Sequence, residues 1–352
     1  MRKELSFLKT IALANIVKPK KPFKINFAIT YRCNYRCKMC NIWKKPKQNE
    51  LSLREIERIF SKANYSQWIS LTGGEPFLRG DIDAIARIIN EHCNLFTLNI
   101  PTNGSMPNRI CKKTRKICEL GIRKTGITVS LDGPKELHDE IRGTDGAWER
   151  SIETFSLLKE LEREFKNFKV FFEFTLSPFN LKYFQKTLEE AKKEVNVNAS
   201  DFHVTFFHIS EHYYENSKLE KLCKTFKTKA FEEIIKVRKM RSKSLSAEKL
   251  LSDIYLALIN KELNCPLRCC ALSCSCFIDP YGNVYPCIVL NDPVGNLREN
   301  DYELNRIVLS DRANALRKKI GKCRLCWTPC EANQTILANI AKASMLYLKN
   351  LF

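Results

Sequence analysis

The 352-residue sequence shows no signal peptide and no apolar run long enough to cross a bilayer. Leu5 to Val17 is mostly apolar and flanked by lysines, but falls well short of the ~20 residues a spanning helix needs. Sixteen cysteines without a secretory context do not read as a disulfide framework, and their clustering at ligand spacings points to a reducing, anaerobic cytoplasm. Histidine is scarce, at five residues, and no acid–base pair stands out by spacing. Acidic residues are also short, 39 against 59 basic ones, for a formal net charge of +20. That charge suits nucleic acid, anionic lipid headgroups or an acidic substrate, and it is equally what a lysine-rich proteome gives any protein. Residues 1–24 carry Arg2, Lys3, Lys9, Lys18, Lys20, Lys21 and Lys24 against Glu4 alone, and a second basic stretch runs from Lys218 to Lys249.

Against these absences stand Cys33, Cys37 and Cys40, spaced C-x3-C-x2-C on one short segment. A cubane [4Fe–4S] cluster has four irons, so three thiolates leave one iron open to a small molecule. An open position separates a catalytic metal site from a closed structural one. The segment follows a strand-like run, Phe23 to Thr30, which puts it at the C-terminal end of the first strand, where barrel enzymes keep their chemistry. Zinc binding, or three unrelated thiols, is the competing reading. Zinc sites more often pair C-x2-C with a second, distant pair.

Gly73-Gly74-Glu75-Pro76 closes the apolar run from Trp68 to Thr72. Glycines let backbone approach a ligand closely, and a carboxylate beside them can take an ammonium group. Together the two motifs resemble the radical S-adenosylmethionine (radical SAM) superfamily. The resemblance implies that Cys33, Cys37 and Cys40 hold a [4Fe–4S] cluster whose free iron is chelated by SAM. It also implies that Gly73, Gly74, Glu75 and Pro76 form the strand end that meets the SAM amino group. Asn99 to Gly104, with Asn103, resembles the family's next strand end. Ser130 in Ser-Leu-Asp-Gly and Arg142 in Ile-Arg-Gly resemble its carboxylate and ribose contacts for SAM. A surface ion pair for Arg142 and a turn hydroxyl for Ser130 are the plainer readings.

Helical patterns cover Leu53 to Ala63, opened by the capping box Ser52-Leu53-Arg54-Glu55, then Ile82 to His92, Ile110 to Glu119, Trp148 to Glu162 and Leu181 to Lys193. Strand-like runs alternate with them at 97–100, 127–131, 169–176 and 202–207. Repeated βα units imply a parallel sheet. Six of them make an α/β fold, the partial (β/α)6 TIM-like barrel of the family, over residues 23–215. A basic, apolar segment (1–22) precedes it, and a basic helical linker (216–262) follows.

Nine cysteines lie between Cys265 and Cys330. Phe277 to Cys287 reads as a β-hairpin around Pro280-Tyr281-Gly282-Asn283, with Cys287 delivered at its end. Cys323, Cys326 and Cys330 follow as C-x2-C-x3-C. This resembles the SPASM/twitch cluster domains of many radical SAM enzymes, here a small cysteine-rich domain over 263–332. The full two-cluster pattern expects a cysteine beyond Cys330, and none is present. At least one auxiliary [4Fe–4S] cluster is expected, held by Cys287 with cysteines from the group Cys323, Cys326 and Cys330, and completed by one from the 269–276 group, with Cys269 and Cys274 as candidates. A second cluster and a zinc ribbon both stay open. Cys93, Cys111, Cys118 and Cys223 fall in helical patterns and read as buried apolar side chains.

The resemblance implies reductive cleavage of SAM to a 5′-deoxyadenosyl radical that abstracts hydrogen from an unactivated C–H bond. It also implies an electron donor such as ferredoxin or flavodoxin. His203, His208 and His212 lie in the run from Phe202 to Tyr214 at the last barrel strand and are candidates to bind substrate or move a proton. Only about twenty residues precede the first strand, fewer than the leader-binding domain of many peptide-modifying relatives. A lipid or polyprenol-linked substrate at a membrane surface accounts for the basic, apolar ends, including the amphipathic pattern over 333–352. Helical lids packed on the barrel account for the same ends. A peptide substrate is the alternative. A non-enzymatic zinc or iron–sulfur protein acting on nucleic acid leaves Gly73–Pro76 and Ser130–Gly133 unexplained.

Overall fold

A computed structural model describes residues 2–46, 48–241, 247–260, 264, 266–324 and 326–349. Helix α1 (Arg2–Ile16) precedes an alternation of strand and helix: β1 (Lys24–Thr30), α2 (Leu53–Lys62), β2 (Trp68–Gly73), α3 (Ile82–His92), β3 (Thr97–Thr102) and α4 (Pro107–Cys118). The alternation continues through β4 (Lys124–Ser130), α5 (Lys135–Arg142), α6 (Ala147–Glu164), β5 (Phe168–Leu176), α7 (Phe184–Glu194) and β6 (Phe202–Phe206). Successive strands pair in parallel from β1 to β6. The partial (β/α)6 barrel expected from the repeats is the fold.

Local chemistry sets the element ends. The Ser52–Glu55 capping box opens α2 as read. Helix α4 begins at Pro107, three residues before the expected Ile110, because proline suits the first helical position. Helix α7 begins at Phe184 instead of Leu181, since Lys182 holds φ +71°, which no right-handed helix admits.

Beyond the barrel come α8 (Glu220–Met240), α9 (Ala247–Ala257), β7 (Ser275–Ile278), β8 (Asn283–Tyr285) and β9 (Gly295–Asn296). Helices α10 (Leu304–Val308), α11 (Asp311–Ile320), α12 (Pro329–Leu337) and α13 (Ile340–Lys349) follow. The β7–β8 hairpin forms as read, with Gly282 at φ +88° and Asp279 Oδ1 accepting from Tyr281 N and Asn283 N. Its placement was not legible: β7 pairs in parallel with β1 and extends one sheet to nine strands, in the order β6-β5-β4-β3-β2-β1-β7-β8-β9.

The alternation of side chains along each strand divides the protein into two environments. Residues such as Ile25, Phe27, Leu71, Leu98, Ile127 and Phe172 face the helical layer and form the apolar core. Those facing the barrel axis are largely polar, among them Asn26, Ser70, Thr72, Asn99, Thr128 and Glu173, and they line a cavity of ≈ 720 Å³. Helix α1 closes the N-terminal end of the strands. Phe7 stacks on Phe96 at 4.6 Å between ring centroids, and Ser6 Oγ accepts from Gln67 and Asn94 at the starts of β2 and β3. Among the described residues no helix is long and apolar enough to cross a membrane.

Candidate active site

The segment with Cys33, Cys37 and Cys40 leaves the C-terminal end of β1 and is pinned from three sides. Arg36 N and Lys38 N donate to the carbonyls of Arg142 (3.1 Å) and Ile141 (2.8 Å), at the end of α5. Asn34 Nδ2 donates to Ser105 Oγ at 2.9 Å, and Asn216 Nδ2 donates to Met39 O at 3.1 Å. Close approach to α5 depends on Gly143, whose φ is +64° and whose added Cβ would lie 2.5 Å from Arg36 O. Burial pushes the thiols up, Cys33 to about 12, with Cys37 and Cys40 raised too. They hold their protons until a metal displaces them. Two donors face the sulfurs: Asn103 Nδ2 is 3.9 Å from Cys33 Sγ, and Arg142 Nη1 is 3.8 Å from Cys37 Sγ.

Gly73 and Gly74 bring the end of β2 onto this segment. An added Cβ would lie 2.0 Å from Thr30 O at Gly73 and 2.3 Å from Arg32 O at Gly74. Tyr213 Oη bonds Gly73 O and Thr72 Oγ1, both at 2.9 Å, and fixes the turn from the other side. Glu75 is fully buried. Its Oε1 accepts from Phe77 N and Thr102 Oγ1, and its Oε2 from Asn103 N at 2.7 Å. Burial still pushes the carboxyl up to about 7. Gly73, Gly74, Asn103, Ser130 and Arg142 line the cavity, whereas Glu75 and Pro76 sit behind its wall. In this geometry Glu75 orders the Asn103 backbone, leaving the two glycines facing the space.

Arg142 forms a buried ion pair with Asp132 of the Ser-Leu-Asp-Gly run. The plainer reading, a surface ion pair, is thus wrong in its setting: the side chains are 11% and 0% exposed. Burial opposes the Arg142 charge, yet Asp132 and Cys37 hold its pKa above the usual range. Among the described residues Arg142 Nε has no partner. Sequence reasoning missed Asp132, though its place two residues after Ser130 was visible.

Cys287, Cys323 and Cys326 come within electrostatic reach of one another around Glu331. Cys330 lines the cavity. Lys24 Nζ, buried at the start of β1, donates to Cys330 O (2.7 Å) and Gln334 Oε1 (2.9 Å). Glu331 accepts from Ser275 Oγ at 2.6 Å and Gln334 Nε2 at 2.7 Å, which ties α12 to β1 and β7. Cys274 does not join this group. It packs with Cys270 against Ile11, Ala14 and Phe23, under α1. Cys269 packs at the edge of the main core. Cys93 and Cys118 are buried as read, and Cys111 half-buried. Cys265 and the Cys223 side chain lie outside the described residues.

His203 and His208 line the cavity, and His212 does not: its ring stacks on Tyr285 at 4.2 Å and joins the hairpin. Burial lowers His208 and His212 to about 4, so both rings are neutral near pH 7. Sequence reasoning also missed Glu173 on β5. Among the described residues it is the one carboxylate in the cavity wall, with Oε2 accepting from Thr128 Oγ1 at 2.9 Å. Burial raises its pKa.

These residues fit a cluster and SAM. Three thiols share one anchored segment, and a buried Arg142 Nε without a partner among the described residues stands beside a cavity large enough for a nucleotide-sized ligand. Among the described residues no group of three or more His, Cys, Asp or Glu is arranged to hold a single metal ion.

Residues 27–191 match the family model of the radical SAM superfamily, and residues 269–331 match that of the SPASM iron–sulfur cluster-binding domain. The AdoMet-dependent heme synthase of Methanosarcina barkeri is 25% identical over 335 residues, covering 87% of this chain and 88% of that protein. The GTP 3′,8-cyclase of Campylobacter curvus is 29% identical over 147 residues, 36% of this chain and 44% of its own length. Among solved structures, anSMEcpe with bound AdoMet matches with a TM-score of 0.55 at 16% identity, over 94% of this chain and 97% of that one. SuiB of Streptococcus suis, bound to its precursor peptide SuiA, matches with a TM-score of 0.54 at 19% identity, over 88% and 69%. At such identities the two structures establish the fold.

Proposed function

The chain belongs to the radical SAM superfamily, as an enzyme with a SAM-binding [4Fe–4S] cluster and an auxiliary iron–sulfur domain, and we propose that it acts on an anionic amphiphile, a lipid or polyprenol-linked molecule. SAM bound at the reduced cluster would supply radical chemistry that takes hydrogen from an unactivated C–H bond. Cys33, Cys37 and Cys40 hold that cluster, with Gly73, Gly74, Asn103, Ser130 and Arg142 facing SAM. Cys287, Cys323, Cys326 and Cys330 supply auxiliary-cluster thiolates, and a ferredoxin or flavodoxin supplies the electron.

The observation that carries the substrate reading is the composition of the cavity from end to end. Its inner end meets the cluster thiols, while exposed Arg123 and Lys166 line the opposite end beside Phe7, Phe96 and Leu337. Basic groups beside apolar ones suit an anionic head on an apolar body. Glu173 lies between the two ends and holds or accepts a proton of the bound substrate. A peptide substrate is the second reading, favoured by the likeness to SuiB, whose structure contains a precursor peptide.

The test is a comparison of lipid, peptide and metabolite extracts from cells with and without this gene. A mass change from C–H chemistry in a lipid fraction is expected, lost in Glu173→Gln cells whose protein keeps its iron. A change confined to a peptide selects the second reading. Stoichiometric zinc with no iron after anaerobic reconstitution removes both.

A further inference from the structure

Helix α1 is apolar on two opposite faces. One, with Phe7, Ile11 and Ala14, packs on the barrel floor. The other carries Leu5, Leu8 and Ile16, which are 53%, 59% and 81% exposed. A surface helix ordinarily keeps one apolar stripe toward the core and polar residues outside. Helix α13 adds Ile340, Met345 and Leu348, at 44%, 48% and 55% exposure.

The two helices are locked together where they meet. Asn15 Nδ2 donates to Leu337 O at 2.7 Å, Asn15 Oδ1 accepts from Ile340 N at 2.8 Å, and Lys18 Nζ donates to Ala338 O. Ile16 and Val17 therefore adjoin Ile340. Exposed Arg2, Lys9, Lys342 and Lys349 accompany this surface on the two helices, against Glu4 alone, while Lys3 turns to Asn90 of the barrel.

An exposed apolar patch with a charged border marks an interaction site, and the sign of the border indicates the partner. A second copy of the chain would bring the same excess of lysine and arginine against itself. An anionic bilayer takes the leucines into its interfacial region and pairs the cations with its headgroups. We propose that the α1–α13 face is a docking surface for an anionic membrane. Phe7 on the inner side of α1 and Leu337 at the end of α12 line the cavity end, so docking sets that end against the bilayer. The inference does not require a lipid substrate, since a peripheral enzyme can act on soluble molecules.

The experiment uses the full, iron-loaded chain with phosphatidylglycerol vesicles, neutral phosphatidylcholine vesicles, and raised salt. Sedimentation with the anionic vesicles is expected, falling at least tenfold in the double variant Leu8→Glu/Ile16→Glu and falling as salt rises. Leu309→Glu, at an exposed apolar position on neither helix, should bind like the parent. Iron content and 5′-deoxyadenosine release should be unchanged in all three proteins, so failure to dock is distinguishable from failure of the enzymatic reading. Equal binding to both vesicle types, or undiminished binding by the double variant, overturns the proposal. A dimer in light scattering that the double variant dissociates, without vesicle binding by the parent, assigns the face to a second copy instead.

Discussion

The Arg142 guanidinium joins the buried carboxylate of Asp132 to the Cys33–Cys40 segment, its Nη1 standing 3.8 Å from Cys37 Sγ. Asp132 Oδ1 also accepts from Thr175 N at 2.7 Å, so the pair ties β4 and β5 to the thiols. Removing one partner of a buried pair leaves an uncompensated charge, at a cost of about 3–5 kcal/mol. Asp132→Asn and Arg142→Gln should each lower unfolding free energy by roughly that amount and weaken SAM binding. The double variant should lose less than the sum, because neither charge is then stranded. Denaturant titration and calorimetric SAM binding on all four proteins measure this, and additive losses would show the pair is uncoupled.

Iron should divide between two sites. Anaerobically purified protein should carry roughly eight irons per chain, from two four-iron clusters. Cys33, Cys37 and Cys40 changed together to Ala should remove about half and abolish 5′-deoxyadenosine release. Cys287 and Cys326 changed together should remove about the other half while release persists. Iron analysis with electron paramagnetic resonance after reduction checks both, and loss of all iron in either variant would contradict two independent sites.

The barrel was legible because its strands and helices differ in period and because Cys33–Cys40 and Gly73–Pro76 are contiguous in the chain. What the sequence hid depends on contacts between distant segments. Nothing local in Ser275–Ile278 says that it pairs with β1, and a hairpin read from its turn carries no information about its outer neighbour. Glu173 looks like an ordinary strand residue until the barrel closes around it. His212 lies close in sequence to two cavity histidines, yet Tyr285 from the hairpin draws it away. The 269–276 thiols read as one group, but Cys270 and Cys274 sit beneath α1, and Cys276, on β7, faces the core beside Ile25. The terminal helices fit both alternatives read for them: one face is a lid, the other is exposed.

Glu75 gives a pH dependence of defined sign. Its carboxyl lies at about 7 in the folded chain against an ordinary 4.5, because burial disfavours the charge. A raised carboxyl contributes stability that is complete below about 4.5 and lost as pH rises through about 7. The distance from 4.5 to about 7 corresponds to on the order of 3 kcal/mol. Metal-free parent should therefore lose stability relative to Glu75→Gln between these limits. Taking the difference cancels Glu331, whose carboxyl burial also raises to about 7. Chemical denaturation of both proteins at pH 4.5, 6 and 8 measures it, and a difference constant with pH would refute the assignment.

Gly143 offers a test of the cluster segment that avoids its thiols. Its φ of +64° costs any other residue about 1–2 kcal/mol, and an added Cβ would also lie 2.5 Å from Arg36 O. Arg36 belongs to the segment that carries Cys33 and Cys37, and the obstructing atom is backbone, so relief requires the segment to move. Gly121 separates strain from clash: its φ is +67°, and an added Cβ meets nothing within 4 Å. Gly121→Ala should lose only the conformational part and keep all its iron. Gly143→Ala should be destabilised further and lose iron from the SAM-binding site, while the auxiliary cluster remains. Thermal unfolding paired with iron analysis distinguishes the two. Equal losses in both variants, with iron intact, would mean that the cluster segment does not depend on its approach to the end of α5.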